Sequence, residues 1–452
     1  MFDDPNLVSC AGLAPVLTLA ERAGLHELLD QRLTMRGPGA ANAGVKLTAL
    51  VAGMVAGADS IDDMDVLRHG ATGRLFGGVR APSTLGTFLR TFTFGHVRQL
   101  DAVAARTLAG LAARTPLLAG AAQIAYVDID DTVKRTYGYA KQGAGYGYSG
   151  VKGLNALLAT VSTPLAAPVI AGCRLRKGAT NSARGASRLL ADALVTARAA
   201  GASGLLIVRA DSAFYNRDVL ATAGRHGARF SVTARQDPSV RRAIEAISDD
   251  GWTPIHYPNA IWDEDEQRLI SDAEVAEIEH TAFTSRRKAE HITGRLIVRR
   301  VRRLNPSNRH TGAEQGELLP AWRYHAVFTN SPLRMLDAEA AHRGHAIIEQ
   351  VIAELKDGPL AHLPSGKFNA NAAWLVLASI ALNLTRAAGS LASRFHARAR
   401  LATLRAHLIN VPGRLARSAR RLTLHLPQHW RWQHAWHNLD QRARGAPITA
   451  TR

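Results

Sequence analysis

The stretch Ala125-Tyr126-Val127-Asp128-Ile129-Asp130-Asp131-Thr132 runs from apolar residues straight into three carboxylates within four positions, then a threonine. Strands favour β-branched and aromatic residues and disfavour aspartate. The pattern therefore predicts a buried strand whose polar end serves something other than packing. Side chains alternate along a strand, which sets Asp128 and Asp130 on one side and Ile129 and Asp131 on the other. Two carboxylates projecting from one strand form a hard-oxygen site suited to Mg²⁺ or Mn²⁺. The plainer alternative is a strand that ends in a solvated acidic turn.

Outward from this strand the order of elements is α/β. Strand-like runs at 124–129, 156–162 and 167–175 precede a helix at 182–200, a strand at 205–210, a helix at 216–226 and a strand at 228–234. That order predicts a mixed sheet. Before it, residues 7–114 read as helical, with Leu47, Leu50, Val51, Met54 and Val55 at helical spacing, and again Leu85, Phe88, Leu89 and Phe92. Ser83-Thr84 offers a cap ahead of the second set. The acidic segment 59–65 reads as a helix cap and first turn, where carboxylates complement the helix dipole, in preference to a metal site. The run Lys141-Gln142-Gly143-Ala144-Gly145-Tyr146-Gly147-Tyr148 does not follow a strand and open a helix as a phosphate loop does; a hairpin turn with aromatic packing is expected. From 237 to 330, short strands at 252–257, 295–301 and 321–329 interrupt the α/β order. Helical periodicity returns at 336–356 and 371–387. The chain then becomes dense in arginine and histidine, with Trp430-Arg431-Trp432-Gln433-His434 near its end, either an electrostatic arm on DNA or a solvated basic tail.

At 452 residues, 46% hydrophobic and 21% charged, the chain can build two or three cores. No apolar run approaches the roughly 18–20 residues of a membrane span, and the start lacks the basic-then-apolar order of a secretory signal. Cys10 and Cys173 are isolated, so neither a disulfide framework nor a zinc site is expected. A reducing, cytoplasmic setting without a membrane follows as the default. Lys+Arg 56 against Asp+Glu 37 gives a net charge of +19. Such a balance attracts polyanions, nucleic acid first among them.

Two further acidic positions join Asp128 and Asp130. Asp211 ends the apolar run 205–210, and Glu349 lies in a helix spanning 342–356. Read as one continuous helix, it puts His342, His345, Glu349 and Lys356 on a polar stripe beside an apolar face of Ile348, Val351, Ile352 and Leu355. A carboxylate in line with basic groups suits a site that holds metal and phosphate together. Phosphodiester chemistry gives a reason for three carboxylates, because two divalent ions activate one oxygen and stabilise the other. No Walker loop or Gly-x-Ser-x-Gly elbow is present.

Asp128-Ile129-Asp130-Asp131-Thr132, Arg209-Ala210-Asp211-Ser212-Ala213-Phe214 and Glu349-x6-Lys356 resemble the DDE transposases of bacterial insertion sequences. The closest likeness is to the insertion-sequence family numbered thirteen-eighty, within a group whose third motif reads Tyr-x2-Arg-x3-Glu-x6-Lys. The resemblance implies an RNase H-like α/β core with a β-strand-rich insertion, behind an α-helical N-terminal domain. It divides the chain into a helical, DNA-end-binding domain at 1–118, a first part of the core at 119–236, the insertion at 237–332, a second part of the core with the glutamate helix at 333–390, and a basic C-terminal tail at 391–452. It implies Asp130, Asp211 and Glu349 as catalytic ligands of two Mg²⁺ (or Mn²⁺) ions, with Asp128 as neighbour or alternative first ligand. Lys356, His345, Arg343 and His342 are implied as DNA or phosphate contacts; His342 and His345 stand where tyrosine and arginine are usual, and Arg343 is the candidate stand-in for that arginine.

The activity implied is cut-and-paste transposition: metal-dependent cleavage at terminal inverted repeats, then strand transfer into target DNA, by a homodimer at the bacterial nucleoid. Trp252, Trp262 and Trp322 are candidates for stacking on an extruded base, with core packing as the plainer role. A stand-alone RNase H-like nuclease and a non-catalytic DNA-binding descendant are the alternatives.

Overall fold

The structure is a computed structural model. It describes residues 1–37, 40–138, 140–255, 262–263, 268–269, 273–302, 322–419 and 421–445, with 262–263, 268–269 and 302 by backbone alone. In chain order the first elements are β1 (Leu7–Val8), α1 (Leu13–Arg22), α2 (Leu25–Arg32), α3 (Ala43–Ala56), α4 (Pro82–Leu89) and α5 (Phe94–Ala112). Then come β2 (Ile124–Arg135), β3 (Gly145–Tyr146), β4 (Lys152–Thr163), β5 (Ala166–Lys177), α6 (Ala186–Ala199), β6 (Leu205–Ala210), α7 (Arg217–Arg225) and β7 (Arg229–Thr233). The next are α8 (Pro238–Glu245), β8 (Thr253–Ile255), β9 (Trp262–Asp263), β10 (Arg268–Leu269), β11 (Ala273–Ala282), β12 (Ile292–Arg302), β13 (Trp322–Thr329) and α9 (Met335–Arg343). The last are α10 (Ile347–Lys356), α11 (Phe368–Ala392), α12 (Arg394–Arg398), α13 (Leu401–Leu404), β14 (Gly413–Ser418), β15 (Arg421–His425) and α14 (Gln433–Ala443). The chain is a mixed α/β protein of two compact units: Met1–Leu206 with Ile347–Arg452, and Ile207–Ala346.

In the first unit β4 is the middle strand. One edge pairs antiparallel with β2 from Tyr126↔Ser162 to Arg135↔Gly153; the other pairs with β5, and with the two residues of β3 beyond it. From Gly153 to Thr163 every β4 residue is buried. Both faces of this strand are covered, and its Leu, Ala, Val and Thr side chains suit that position. Helix α6 packs on β2, β4 and β5, and β5 also receives α11, a 25-residue helix long and apolar enough to cross a membrane, whose apolar window lies entirely inside the protein. Asn383 places it against β5: its amide nitrogen donates to the Ile170 carbonyl and its oxygen accepts from the Ile170 N–H, both at 2.8 Å. Helices α1, α3, α5 and α14 pack around α11.

The stretch beyond residue 391, read from sequence as a basic tail, forms α12, α13, a π-helical turn at Arg405–Ile409, a hairpin of β14 and β15, and α14. Strand β14 also pairs with β1. Val8, Ala11, Ala71, Val411, Leu415 and Trp436 share one apolar cluster, so the two ends of the sequence build a common core.

In the second unit β6 and β7 run parallel. Antiparallel pairing then continues through β13, β12, β11 and β8. Its core joins Val275, Ile297, Val327 and Ala338, flanked by the rings of Tyr215, Phe230, Phe283 and Phe328.

Several sequence expectations differ from the structure. Strand β11 was not anticipated, because Glu274, Glu277 and Glu279 disfavour a strand. Across the ladder Glu274 pairs with Arg300, its register partner, and Glu277 with Arg295. The cap expected at Ser83-Thr84 is absent: α4 begins at Pro82, whose missing N–H costs nothing at a helix start. The acidic segment does supply a helix's first turn, with Asp62, Asp63 and Asp65 in it, but the helix is 3₁₀ (Asp62–Arg68) and Asp63 accepts from the Ser60 N–H and hydroxyl. The tyrosines of the Gly-rich hairpin are exposed and unpacked.

Candidate active site

Strand β2 presents its adjacent carboxylates to opposite faces. Asp131 enters a network across three strands: Arg176 and Asn155 donate to its Oδ2 (2.6 Å from Asn155 Nδ2), and the Ser182 hydroxyl donates to Oδ1 at 3.0 Å. Arg176 also donates from Nε to Asn155 Oδ1 at 2.9 Å. Burial lowers the Arg176 pKa, while the Asp131 charge beside it holds it up. Asp131 is thereby engaged in an ion pair and a hydrogen-bond network on the face away from Asp130.

On the other face Asp128 and Asp130 sit two residues apart. Asp128 is completely buried, whereas Asp130 is half-buried. Oδ1 of Asp130 accepts from the Asp131 N–H at 2.7 Å. Accessibility favours Asp130 over Asp128 as the carboxylate a ligand can reach.

Helix α10 packs against β2. Ile348, Val351, Ile352 and Leu355 form its buried face, as the helical period required. Glu349 stands exposed in the first turn and Lys356 half-buried in the last, seven residues apart on one side. Burial lowers the Lys356 pKa, as does the neighbouring Lys134 charge, and the Asp130 carboxylate opposes both. Asp130, Lys134 and Lys356 therefore share one electrostatic environment. Lys134 was missed in the sequence, although the strand period puts 130, 132 and 134 on one face.

The second carboxylate on α10 points the other way. Glu354 is buried, receives Arg386 of α11 at 2.5 Å on Oε2, and accepts the Leu401 N–H at 3.1 Å on Oε1. Arg386 also donates to the Ala399 carbonyl. This pair ties the helix bearing Glu349 and Lys356 to the central helix α11. Nothing in the periodicity distinguished Glu354 from an ordinary surface glutamate.

Asp211, Arg343, His342 and His345 belong to the second unit. Asp211 is exposed at the end of β6 and caps the turn Ser212–Phe214, its Oδ1 accepting from the Ala213 N–H at 2.9 Å. The continuous helix expected at 342–356 is broken. Helix α9 ends at Arg343, a 3₁₀ turn covers Gly344–Ala346, and α10 starts at Ile347, so the four-residue polar stripe does not exist. Gly344 stands at the break with ordinary right-handed backbone angles, and a Cβ there would lie 2.7 Å from an Arg209 guanidinium nitrogen. His342 turns to β7, with Nδ1 3.0 Å from Ser231 Oγ and Nε2 3.0 Å from Thr233 Oγ1. His345 stacks on it. Arg343 Nε donates to both oxygens of Glu339 at 2.9 Å. His342 and Arg343 are thus engaged as braces.

Of the tryptophans, Trp252 and Trp322 flank the Arg300 guanidinium at 4.1 and 4.5 Å, and the Trp262 side chain lies outside the described residues. Both cysteines are buried and free. Among the described residues no three His, Cys, Asp or Glu side chains are gathered closely enough to hold a metal ion. The donor chemistry still fits Mg²⁺: Asp130, Asp211 and Glu349 offer accessible carboxylate oxygens, and neither Asp211 nor Glu349 is committed to an ion pair among the described residues.

Over residues 1–447 the chain matches the family described as transposase DDE domain group 1. Among solved structures it is similar to the piggyBac transposase in a synaptic complex with hairpin DNA, at 10% identity over 96% of this chain and 83% of that one, with a TM-score of 0.43. No curated protein matches it. With a match running almost from end to end, the chain belongs to the DDE transposases of that group.

Proposed function

We propose that this transposase cleaves DNA at the ends of a mobile element and joins the freed 3′ ends to target DNA, using Asp130, Asp211 and Glu349 as one metal-binding set on an RNase H-like core. The observation that carries the proposal is the division of labour on β2. Asp131 is sequestered by Arg176 and Asn155, whereas Asp130 is reachable and lies in the field of Lys134 and Lys356. When bound, two Mg²⁺ ions supply charge stabilisation on the phosphate and make an attacking oxygen available near neutral pH. Lys356 and Lys134 neutralise the phosphate held beside Asp130, and Glu354 fixes the helix from which Lys356 reaches it. His345 contributes a further phosphate contact. Arg343, exposed beside its Glu339 pair, and His342 contribute the remaining DNA contacts. The net charge of +19 supports duplex DNA, in the form of inverted repeats and target, as the partner. A homodimer acting at the bacterial nucleoid fits the need to process two ends together.

The test is Asp130→Asn in the full chain. Mg²⁺-dependent nicking of an end-containing duplex disappears, while binding of the same duplex in EDTA persists. Retained nicking sinks the assignment of Asp130. Loss of binding as well would show that the residue acts in folding.

A further inference from the structure

Tyr-Gly-Tyr occurs twice in quick succession, at 137–139 and 146–148. Tyr139 lies outside the described residues. Tyr137 is 83% exposed, Tyr146 68%, and Tyr148 fully so. None of the three side chains makes a hydrogen bond, ring contact or ion pair among the described residues. Three aromatic side chains held in water contribute nothing to the core, yet the segment carrying them is firmly tied down. The Thr136 N–H donates to the Lys152 carbonyl at 3.0 Å, the Gln142 N–H to the Gly366 carbonyl at 2.9 Å, and the Gly178 N–H to the Gly143 carbonyl at 3.0 Å. Lys141 Nζ donates to the Leu363 carbonyl at 2.6 Å, and the Phe368 N–H to Gln142 Oε1 at 3.1 Å. Backbones close in so tightly that a Cβ on Gly178 would lie 2.0 Å from the Gly153 carbonyl oxygen. The loop is a built platform presenting rings outward.

Charge narrows what the platform takes. From residue 132 to residue 191 there are nine lysines and arginines and no aspartate or glutamate. Arg135, Lys177 and Arg184 within that span, and Lys367 beside the platform in sequence at Phe368, are exposed. A second copy of this chain, itself at +19, is electrostatically unsuited to such a surface; a polyanion suits it. Lysines alone serve to hold a duplex backbone, because the paired and stacked bases inside it offer no face to a tyrosine. Exposed rings among cations match unpaired bases, each of which has a π-face.

We propose that Tyr137, Tyr146 and Tyr148 form a stacking platform for an unpaired DNA strand. Arg135 closes β2 five residues beyond Asp130, about 17 Å along the strand at ~3.3 Å per residue, a few nucleotides from the proposed cleavage point. The platform grips bases that melt from the duplex beside that point. Its place in the reaction rests on the cleavage reading above; its binding activity does not.

The experiment uses the full chain in EDTA and fluorescence anisotropy with one labelled oligonucleotide, offered single-stranded and as a blunt duplex. Stacking on a protein ring is worth about 5- to 150-fold per base. The double substitution Y146A/Y148A should therefore weaken single-strand binding by at least about tenfold while duplex binding moves less than about threefold, and Y146F/Y148F should behave as the unsubstituted protein. Unchanged single-strand binding overturns the proposal. So does an equal loss on both probes, which would mark a phosphate-only contact. A Phe pair as weak as the Ala pair also overturns it, because the hydroxyls and not the rings would then be responsible. Loss of self-association with DNA binding intact would assign the surface to a second copy. Asp130→Asn in parallel keeps the two readings apart: if it fails to abolish nicking, the cleavage reading falls and the anisotropy result still stands or falls by itself.

Discussion

Replacing Glu354 by glutamine removes one charge from a pair in which both side chains are almost wholly inaccessible, 8% for Glu354 and 1% for Arg386. Glutamine keeps the size and one acceptor, so the Leu401 N–H can remain satisfied. Arg386 is left as a buried cation without its counter-charge. Breaking such a pair from one side costs about 3–5 kcal/mol, whereas replacing both members by apolar groups of similar volume is often neutral or favourable. At about 2 °C per kcal/mol for a large cooperative unit, Glu354→Gln lowers the melting temperature by roughly 6–10 °C. The double substitution Glu354→Met/Arg386→Met recovers at least half of that drop. Differential scanning calorimetry of the wild type, both single variants and the double variant closes the cycle. A single-variant drop under about 2 °C, or a double variant as unstable as the sum of the singles, would refute the account of a strongly coupled buried pair. Because the pair ties α10 to α11, DNA nicking by Glu354→Gln should fall even well below its melting temperature, where the chain is still folded.

The same reasoning separates the neighbours on β2. Asp131→Ala strands Arg176 and lowers the melting temperature by an amount corresponding to about 3–5 kcal/mol, whereas Asp130→Asn moves it far less; equal drops would contradict the two-face arrangement. Burial lowers the Lys356 pKa, which means the fold disfavours its charge at neutral pH. Lys356→Met should therefore melt no lower than the wild type while nicking falls about 10²–10³-fold, the scale of losing one charge stabiliser at a reacting group; a destabilised but active variant would reverse that assignment. His396 is buried against Ser393 and His407, and burial, with the His407 charge, lowers its pKa to about 4. Between the ordinary value of 6.5 and about 4 the unfolded chain takes up a proton that the folded chain refuses, so this group's stability contribution is present above 6.5 and is lost as the pH falls through about 4. Melting curves from pH 7 to 4 should show His396→Asn losing less on acidification than the wild type, and parallel curves would remove His396 as a cause.

Much of the framework was legible because it obeys simple periods. The strand at 205–210 and the helix after it have nearly the extents that their apolar runs suggest, and alternation alone separated Asp130 from Asp131. What escaped was cooperative over long sequence distances. Strand β11 is acceptable only because arginines of β12 face its glutamates, and Glu354 is distinguished only by an arginine 32 residues away. The break at Gly344 was hidden because apolar spacing resumes in phase on the far side, and the Arg209 guanidinium that crowds this position lies more than a hundred residues upstream. Short-range pattern reports which face a residue occupies; it is silent about the partner that makes the position tenable.

The way α11 packs on β5 has a consequence for synthesis. Strand β5 is complete at Lys177 and the helix ends at Ala392, with the whole of the second unit translated in between. At ~5–20 residues per second the apolar side of β5 that receives α11 waits about 10–40 s for its cover, far longer than the ~1–10 μs in which a hairpin forms. The second unit, continuous in sequence, can fold during that interval. The first cannot, and its nascent strands are the segments of this chain that most need a chaperone.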